Sequence, residues 1–156
     1  MPDIKDLKFV RVIDPLLFSR IPPQLFEQIP KRNWEVNKLY AYGPIFIQNP
    51  FNAIWVMQDI ALKIKGVLWV TIDPVVEIIA VNVLSVDKEY QQLNGSLRNT
   101  ASGIIQKTVE HLHKFQDELK EKFGIELKRE ILGATTRPRA CERSGWKRYP
   151  RVIMEI

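Results

Sequence analysis

Apolar residues recur at steps of three and four from Leu97 through Ala101, Ile104, Ile105, Val109, Leu112, Phe115 and Leu119 to Phe123. The pattern predicts one long amphipathic helix from about Ser96 to Phe123. Gly124 stands where a left-handed C-terminal cap is wanted, and Glu110 with Lys114 and Glu118 with Lys122 are spaced to pair on the wet side. Gly103 inside the helix costs up to about 1 kcal/mol against alanine; close packing on a sheet would explain it, and so would tolerance. Ahead of the helix the pattern changes to extended apolar runs. Gly66 to Asp73 and Val76 to Val86 read as strands joined at Asp73-Pro74, and the second, apolar on both faces, reads as a central strand covered on both sides. Asp87 to Gly95 then forms a turn that opens the helix. The first N–H groups of a helix lack partners and its dipole favours negative charge there, so this junction suits an anion.

The rest of the chain supplies the frame. Leu7 to Ile13 alternates as a first strand, Asp14-Pro15 offers an N-cap with proline in the first turn, and a second short helix spans Gln24 to Ile29 before Pro30. Trp34 to Ile47, aromatic with Gly43-Pro44 near its end, is left open between core and a loop lining a pocket. Asn52 to Met57 reads as a strand that continues, through a loose turn, into Lys63 to Asp73, so that with Val76 to Val86 it makes an antiparallel meander. After the long helix come a strand within Ile125 to Ala134, a short helix from Arg139 to Ser144 closed by Gly145, and a last strand from Trp146 to Ile156. Pro150 puts part of that strand at an edge, a place where two copies would be able to pair. The expected class is α/β (α+β): one domain over residues 1–156 with a mixed, mostly antiparallel central sheet flanked by helices.

Composition narrows the chemistry. A chain of 156 residues, 46% of them hydrophobic, can bury a sizeable core, and a single cysteine rules out an internal disulfide framework. No apolar segment follows a charged start, which makes a reducing cytoplasm the expected location, and the apolar run from Val75 to Val86 is too short to span a membrane. The net charge of +5 is concentrated: eight cations lie between Lys128 and Arg151 against Glu130 and Glu142. That segment is either a solvated basic surface or a phosphate-binding one. His111 and His113 stand two apart on the helix and point about 200° away from each other, so they cannot share a metal ion. There is no G-x-S-x-G, no P-loop and no G-x-G-x-x-G.

Val86-Asp87-Lys88-Glu89-Tyr90 followed by Gln91-Gln92-Leu93-Asn94-Gly95-Ser96 resembles the phosphate turn of the GNAT (general N-acetyltransferase) superfamily, R/Q-x-x-G-x-G/A after a V-x-P-x-Y-type lead. Asn94 stands for the first glycine and Ser96 for the last small residue, since Asn tolerates left-handed geometry. A register one residue later keeps Gly95 but puts Leu97 where a small residue is required. Ala140-Cys141-Glu142-Arg143-Ser144-Gly145-Trp146 resembles the family's A-x-x-L-Y-E-K-x-G-F segment in its second half, with Cys141 at the place of the usual tyrosine and Ala134 near that of the usual asparagine. The order of elements is similar to that family along nearly the whole chain. Short, divergent acetyltransferase-like proteins of phages and mobile elements show a similar pattern, for which the location would be the host cytoplasm.

The resemblance implies direct attack of a substrate amine, on a small molecule or a protein, on the thioester of acetyl-CoA without a covalent enzyme intermediate. Gln91, Gln92, Leu93, Asn94, Gly95 and Ser96 would hold the pyrophosphate, the edge of strand Val81 to Val86 would pair with pantetheine, and an N–H near Leu84 would meet the oxyanion. Arg98, or Arg137 and Arg139, would meet the 3′-phosphate. For proton transfer three residues offer themselves: Cys141 as the acid, and Glu77 or Asn82, which interrupt the apolar strand and where a carboxylate would be desolvated. Each has a plain structural alternative, as a small buried thiol, a wet-end turn residue and a hydrogen-bonded core amide. Two rival readings remain: a GNAT-fold binding module that has lost catalysis, and a nucleic-acid-binding domain built on the basic C-terminal segment with Trp146 and Tyr149.

Overall fold

The structure, a computed structural model, describes residues 3–29, 34–91, 100–133, 142 and 145–147. Strand β1 (Lys8–Arg11) is followed by three helices, α1 (Pro15–Ser19), α2 (Gln24–Glu27) and α3 (Trp34–Phe46). Then come β2 (Asn52–Gln58), β3 (Ile64–Asp73), β4 (Ile78–Val86), the long α4 (Thr100–Phe123) and β5 (Ile131–Gly133). The strands form one sheet in the order β1-β2-β3-β4-β5, antiparallel from β1 to β4 and parallel between β4 and β5.

Local chemistry sets the boundaries. Asp14 caps α1 by accepting the N–H of Leu17 at 3.0 Å, with Pro15 at the first helical position. Asp73 turns β3 into β4 by accepting the N–H groups of Val75 (2.9 Å) and Val76 (3.2 Å). Val75 and Val76 are therefore exposed turn residues, and β4 starts only at Ile78. Gly124, at φ +66°, ends α4 as expected, its N–H reaching the Lys120 carbonyl. Trp34 to Phe46 forms a helix rather than a loop, with Pro44 in its last turn, where it forfeits the N–H that would reach Tyr40 O, and the helix ends two residues later.

Strand alternation fills both faces. Trp55, Met57, Leu68, Val70 and Ile79 pack with Ile104, Leu112, Phe115 and Leu119 of α4. Ile54, Val56, Val67, Trp69 and Val83 pack on the other face with Phe18, Leu25, Phe26 and Leu39 of α1, α2 and α3. β4 is thus paired with β3 along its length and with β5 over Ile79 to Val81, and is covered on both sides. The buried stripe of α4 departs from the apolar count in two places: Phe123 is exposed, whereas Thr108 and Gln116 are buried. Thr108 Oγ1 donates to Ile104 O and Gln116 Nε2 to Lys128 O, both at 2.8 Å, while Gln116 Oε1 is buried with no partner among the described residues. Neither Glu110–Lys114 nor Glu118–Lys122 closes into an ion pair; among the described residues the cations paired are Lys65 with Glu89, Lys120 with Glu126 and Arg129 with Asp117. What crowds Gly103 is Ile4 in the N-terminal 3-10 turn, 2.9 Å from where a Cβ would sit, and not the sheet.

His111 gives α4 a measurable pH response. Its ring stacks on Phe9 (4.0 Å between centroids) and meets Trp55 edge-on (4.7 Å). Its Nε2 is buried with no hydrogen-bond partner among the described residues. Burial foremost, then the charges of Lys114, Arg11 and Lys107, push its pKa down from 6.5 to about 4. The folded chain therefore binds this proton less readily than the unfolded one. The contribution is intact above pH 6.5 and is lost as pH falls toward 4. Because water reaches part of the ring and screens the charges, we expect a loss on the order of 1 kcal/mol between pH 7 and pH 5. Urea unfolding of wild type and His111→Phe at both pH values checks this; an equal acid loss in the two proteins would refute it.

Candidate functional site

The site is built around a residue too many in β4. Val70 lies opposite Val81 and Trp69 opposite Val83, so Asn82 has no partner on β3 and forms a β-bulge. Backbone directions follow from the bonds on either side. The N–H of Asp87 donates to Lys65 O at 2.7 Å, so Asp87 faces β3. Bonded and non-bonded pairs alternate along an antiparallel ladder, so Val86 and Leu84, opposite Gly66 and Leu68, turn their N–H and C=O groups toward the other edge. Ahead of the bulge, Ile72 sends its N–H to Phe51 O (2.8 Å) on the β2 side, which makes its pair with Ile79 non-bonded and turns Ile79 and Val81 outward. The outward set is odd-numbered before Asn82 and even-numbered after it.

β5 meets only the first part of this edge. Its pairs with β4 run from Ile79 with Ile131 to Val81 with Gly133, and past Asn82 no strand among the described residues lies against the edge of β4. Leu84 and Val86 therefore present backbone groups, beside a bulge, to a place where an extended ligand can add as a strand.

Asn82 is half-buried and donates from Nδ2 to Thr71 Oγ1 at 3.2 Å, the hydrogen-bonded amide that its setting in an apolar strand demands. The carbonyl oxygen of Val86 accepts from Nε2 of Gln91 (2.5 Å) and of Gln28 (2.6 Å). Gln91 ends a 3-10 turn, Lys88–Tyr90, that is capped by Asp87 and pinned by the buried Tyr90. Glu77 is elsewhere. It is exposed in the β3–β4 turn at φ +60°, its carbonyl accepting the N–H of Lys128 at 2.7 Å, and it lies five residues, about 16 Å of strand, from Asn82. The expectation of a desolvated carboxylate inside the strand fails at Glu77 because the strand begins after it. Gln92, Leu93, Asn94, Gly95, Ser96, Arg98 and Cys141 lie outside the described residues, as do Ala134, Arg137 and Arg139.

A cleft of about 500 Å³ between α4 and β5, lined among others by Val109, His113, Ile131 and Trp146, contains none of the residues expected to hold acetyl-CoA or move its protons. Sequence reading missed Gln28 and Ser85. Gln28 stands at the end of α2 and reaches β4 across 57 and 58 residues of chain, a contact that no local pattern announces.

The overall fold is shared with solved structures. An aminoglycoside 6′-N-acetyltransferase from Acinetobacter baumannii superposes with a TM-score of 0.63 at 12% identity, over 96% of this chain and 97% of that one. The chain has a GNAT-like fold. An aminoglycoside acetyltransferase from an uncultured soil metagenomic sample gives a TM-score of 0.60 at 17% identity, over 98% and 96% of the two chains. Spermidine N-acetyltransferase from Vibrio cholerae, solved in complex with CoA and spermine, gives 0.60 at 13% identity, over 97% and 86%. In sequence, no protein-family profile and no curated protein matches the chain.

Proposed function

We propose that this chain is an acetyl-CoA-dependent N-acetyltransferase acting on an amine. The observation that carries this reading is the outward-facing backbone of Leu84 and Val86 past the bulge at Asn82, in a fold whose solved neighbours are named as N-acetyltransferases. Acetyl-CoA would bring the acetyl group as a thioester, with amides along its arm that match a strand edge. Leu84 N–H, fixed by the sheet, is a donor of the kind that stabilises charge developing on a carbonyl oxygen. The carbonyls of Leu84 and Val86 are the acceptors for amide N–H groups, and Gln91 to Ser96, with Arg98, would take the phosphates. Around the bulge the described side chains are neutral: Asn82, Thr71, Ser85 and Gln28. They orient and exclude water rather than move protons, so the acid role falls to Cys141 in this reading, and the amine must arrive unprotonated. That neutrality also favours a second reading, a binding module of the same fold without catalysis.

Thermal melting tests the first reading. At acetyl-CoA about 100 times above its Kd the folded state gains roughly 2.7 kcal/mol, which should raise Tm by about 5–10 °C for a chain of this size. No shift at saturating acetyl-CoA would refute the enzyme and leave the binding module standing. Given a shift, thiol release with polyamines and aminoglycosides as acceptors distinguishes enzyme from binding module, and Cys141→Ala should then slow release without changing the shift.

A further inference from the structure

The end of α2 is tied to the very edge just described. Gln28 Nε2 donates to Val86 O (2.6 Å) and to Ser85 Oγ (2.5 Å), and Ser85 Oγ donates in turn to Leu25 O (2.5 Å) within α2. With Gln91 Nε2 on the same oxygen, the Val86 carbonyl has two donors for its two lone pairs. It is a full acceptor. An amide N–H adding along this edge can bond to Val86 only if one glutamine leaves. Gln28 is the one that can leave cheaply, because its second hydrogen keeps Ser85 Oγ and the side chain stays anchored.

We propose that Gln28 is a displaceable latch: its carboxamide occupies the β4 carbonyl needed by an incoming amide, so that ligand entry along this edge loosens the tie between α2 and β4 without severing it. The proposal rests on the acetyl-CoA reading. In that setting Gln28 is a positioning residue, not a catalytic one. It makes the α1–α3 side of the sheet sense whether the ligand's arm is in place, because arrival of that arm breaks one of the three bonds that tie the end of α2 to β4. The latch also lowers affinity, since each binding event must first give up a bond already made.

The test compares two ligands on the full chain by calorimetry: acetyl-CoA, which carries the amide-bearing arm, and 3′,5′-ADP, which carries phosphates and adenine but no arm. Gln28→Ala should bind acetyl-CoA about three- to tenfold more tightly than wild type and 3′,5′-ADP equally well, from the loss of one competing hydrogen bond. Gln28→Met, of similar length and without a donor, should behave the same way, which guards against a variant whose α2 simply loosens. Unchanged or weaker acetyl-CoA binding in a folded variant, with 3′,5′-ADP unaffected, overturns the latch while leaving the acetyl-CoA reading intact. Equal tightening for both ligands also overturns it, since 3′,5′-ADP cannot displace Gln28. Absence of binding of either ligand by wild type overturns the acetyl-CoA reading and the latch together.

Discussion

Deletion of Asn82 is expected to leave the sheet assembled while lowering acetyl-CoA affinity by about two orders of magnitude. The reason lies in the register. Val81 and Leu84 pack on the α4 face and Val83 on the opposite one, so removing the residue between Val81 and Val83 restores plain alternation without turning any of them over. Val70 keeps Val81 and Trp69 keeps Val83 as partners. What disappears is the extra residue that bends β4 and raises its local twist where the pairing with β5 stops. Stability should change by less than about 2 kcal/mol, within the ordinary range for a point change. Asn82→Ala is the matched control: it keeps the extra residue and loses only the bond to Thr71, a cost of about 0.5–1.5 kcal/mol, and should still bind. Calorimetry on the two variants decides; a deletion that binds like wild type would show that the bulge has no part in ligand binding.

Trp69→Ala is expected to be the more damaging change to stability, by about 3–5 kcal/mol, a large fraction of the total for a domain of this size. Trp69 is 3% exposed, stacks on Phe46 of α3 at 5.0 Å with 15° between the rings, and donates from Nε1 to Asn52 Oδ1 at 2.8 Å. Truncation opens a cavity under α3 and leaves the Asn52 oxygen without its donor in a buried place. Trp69→Phe separates the two effects: it keeps most of the ring packing and should lose about 1–3 kcal/mol for the orphaned acceptor. Because Trp69 also lies opposite Val83 at the bulge, the alanine variant should weaken ligand binding as well. Chemical denaturation gives the stability change directly, and a loss below 1 kcal/mol would mean that α3 is held by other contacts.

How far these features were legible depends on the range of the interactions behind them. The meander and α4 follow from periodicities of two and 3.6, which a single segment carries by itself. The caps at Asp14, Asp73 and Gly124 are local chemistry and were readable too. α3 was harder, because Gly43-Pro44 and a run of aromatics signal a break, whereas Gly43 lies in that helix against the ring of Phe18, a tertiary contact. The burial of Thr108 and Gln116 was not legible, because nothing in a hydropathy pattern shows that a carbonyl waits for each of them. At the site, Asn82 was marked by being polar in an apolar strand. Its meaning as a bulge came only from the pairing of β3 with β4. Glu77 carried the same mark and turned out to belong to the turn, since one positive-φ residue before the strand moves its start by two positions. Gln28 carried no mark at all: a glutamine at a helix end is ordinary until the fold brings it to Val86.

In the acetyl-CoA reading, the outward backbone of β4 beyond Asn82 receives an extended, amide-bearing ligand. Amide hydrogen exchange of Leu84 and Val86, followed residue by residue with and without saturating desulfo-CoA, decides whether it does. Exchange at these two positions should slow at least tenfold on binding, while exchange at Ile60, exposed in the turn between β2 and β3, is unchanged. Equal exchange at Leu84 and Val86 in the free and saturated protein would contradict it.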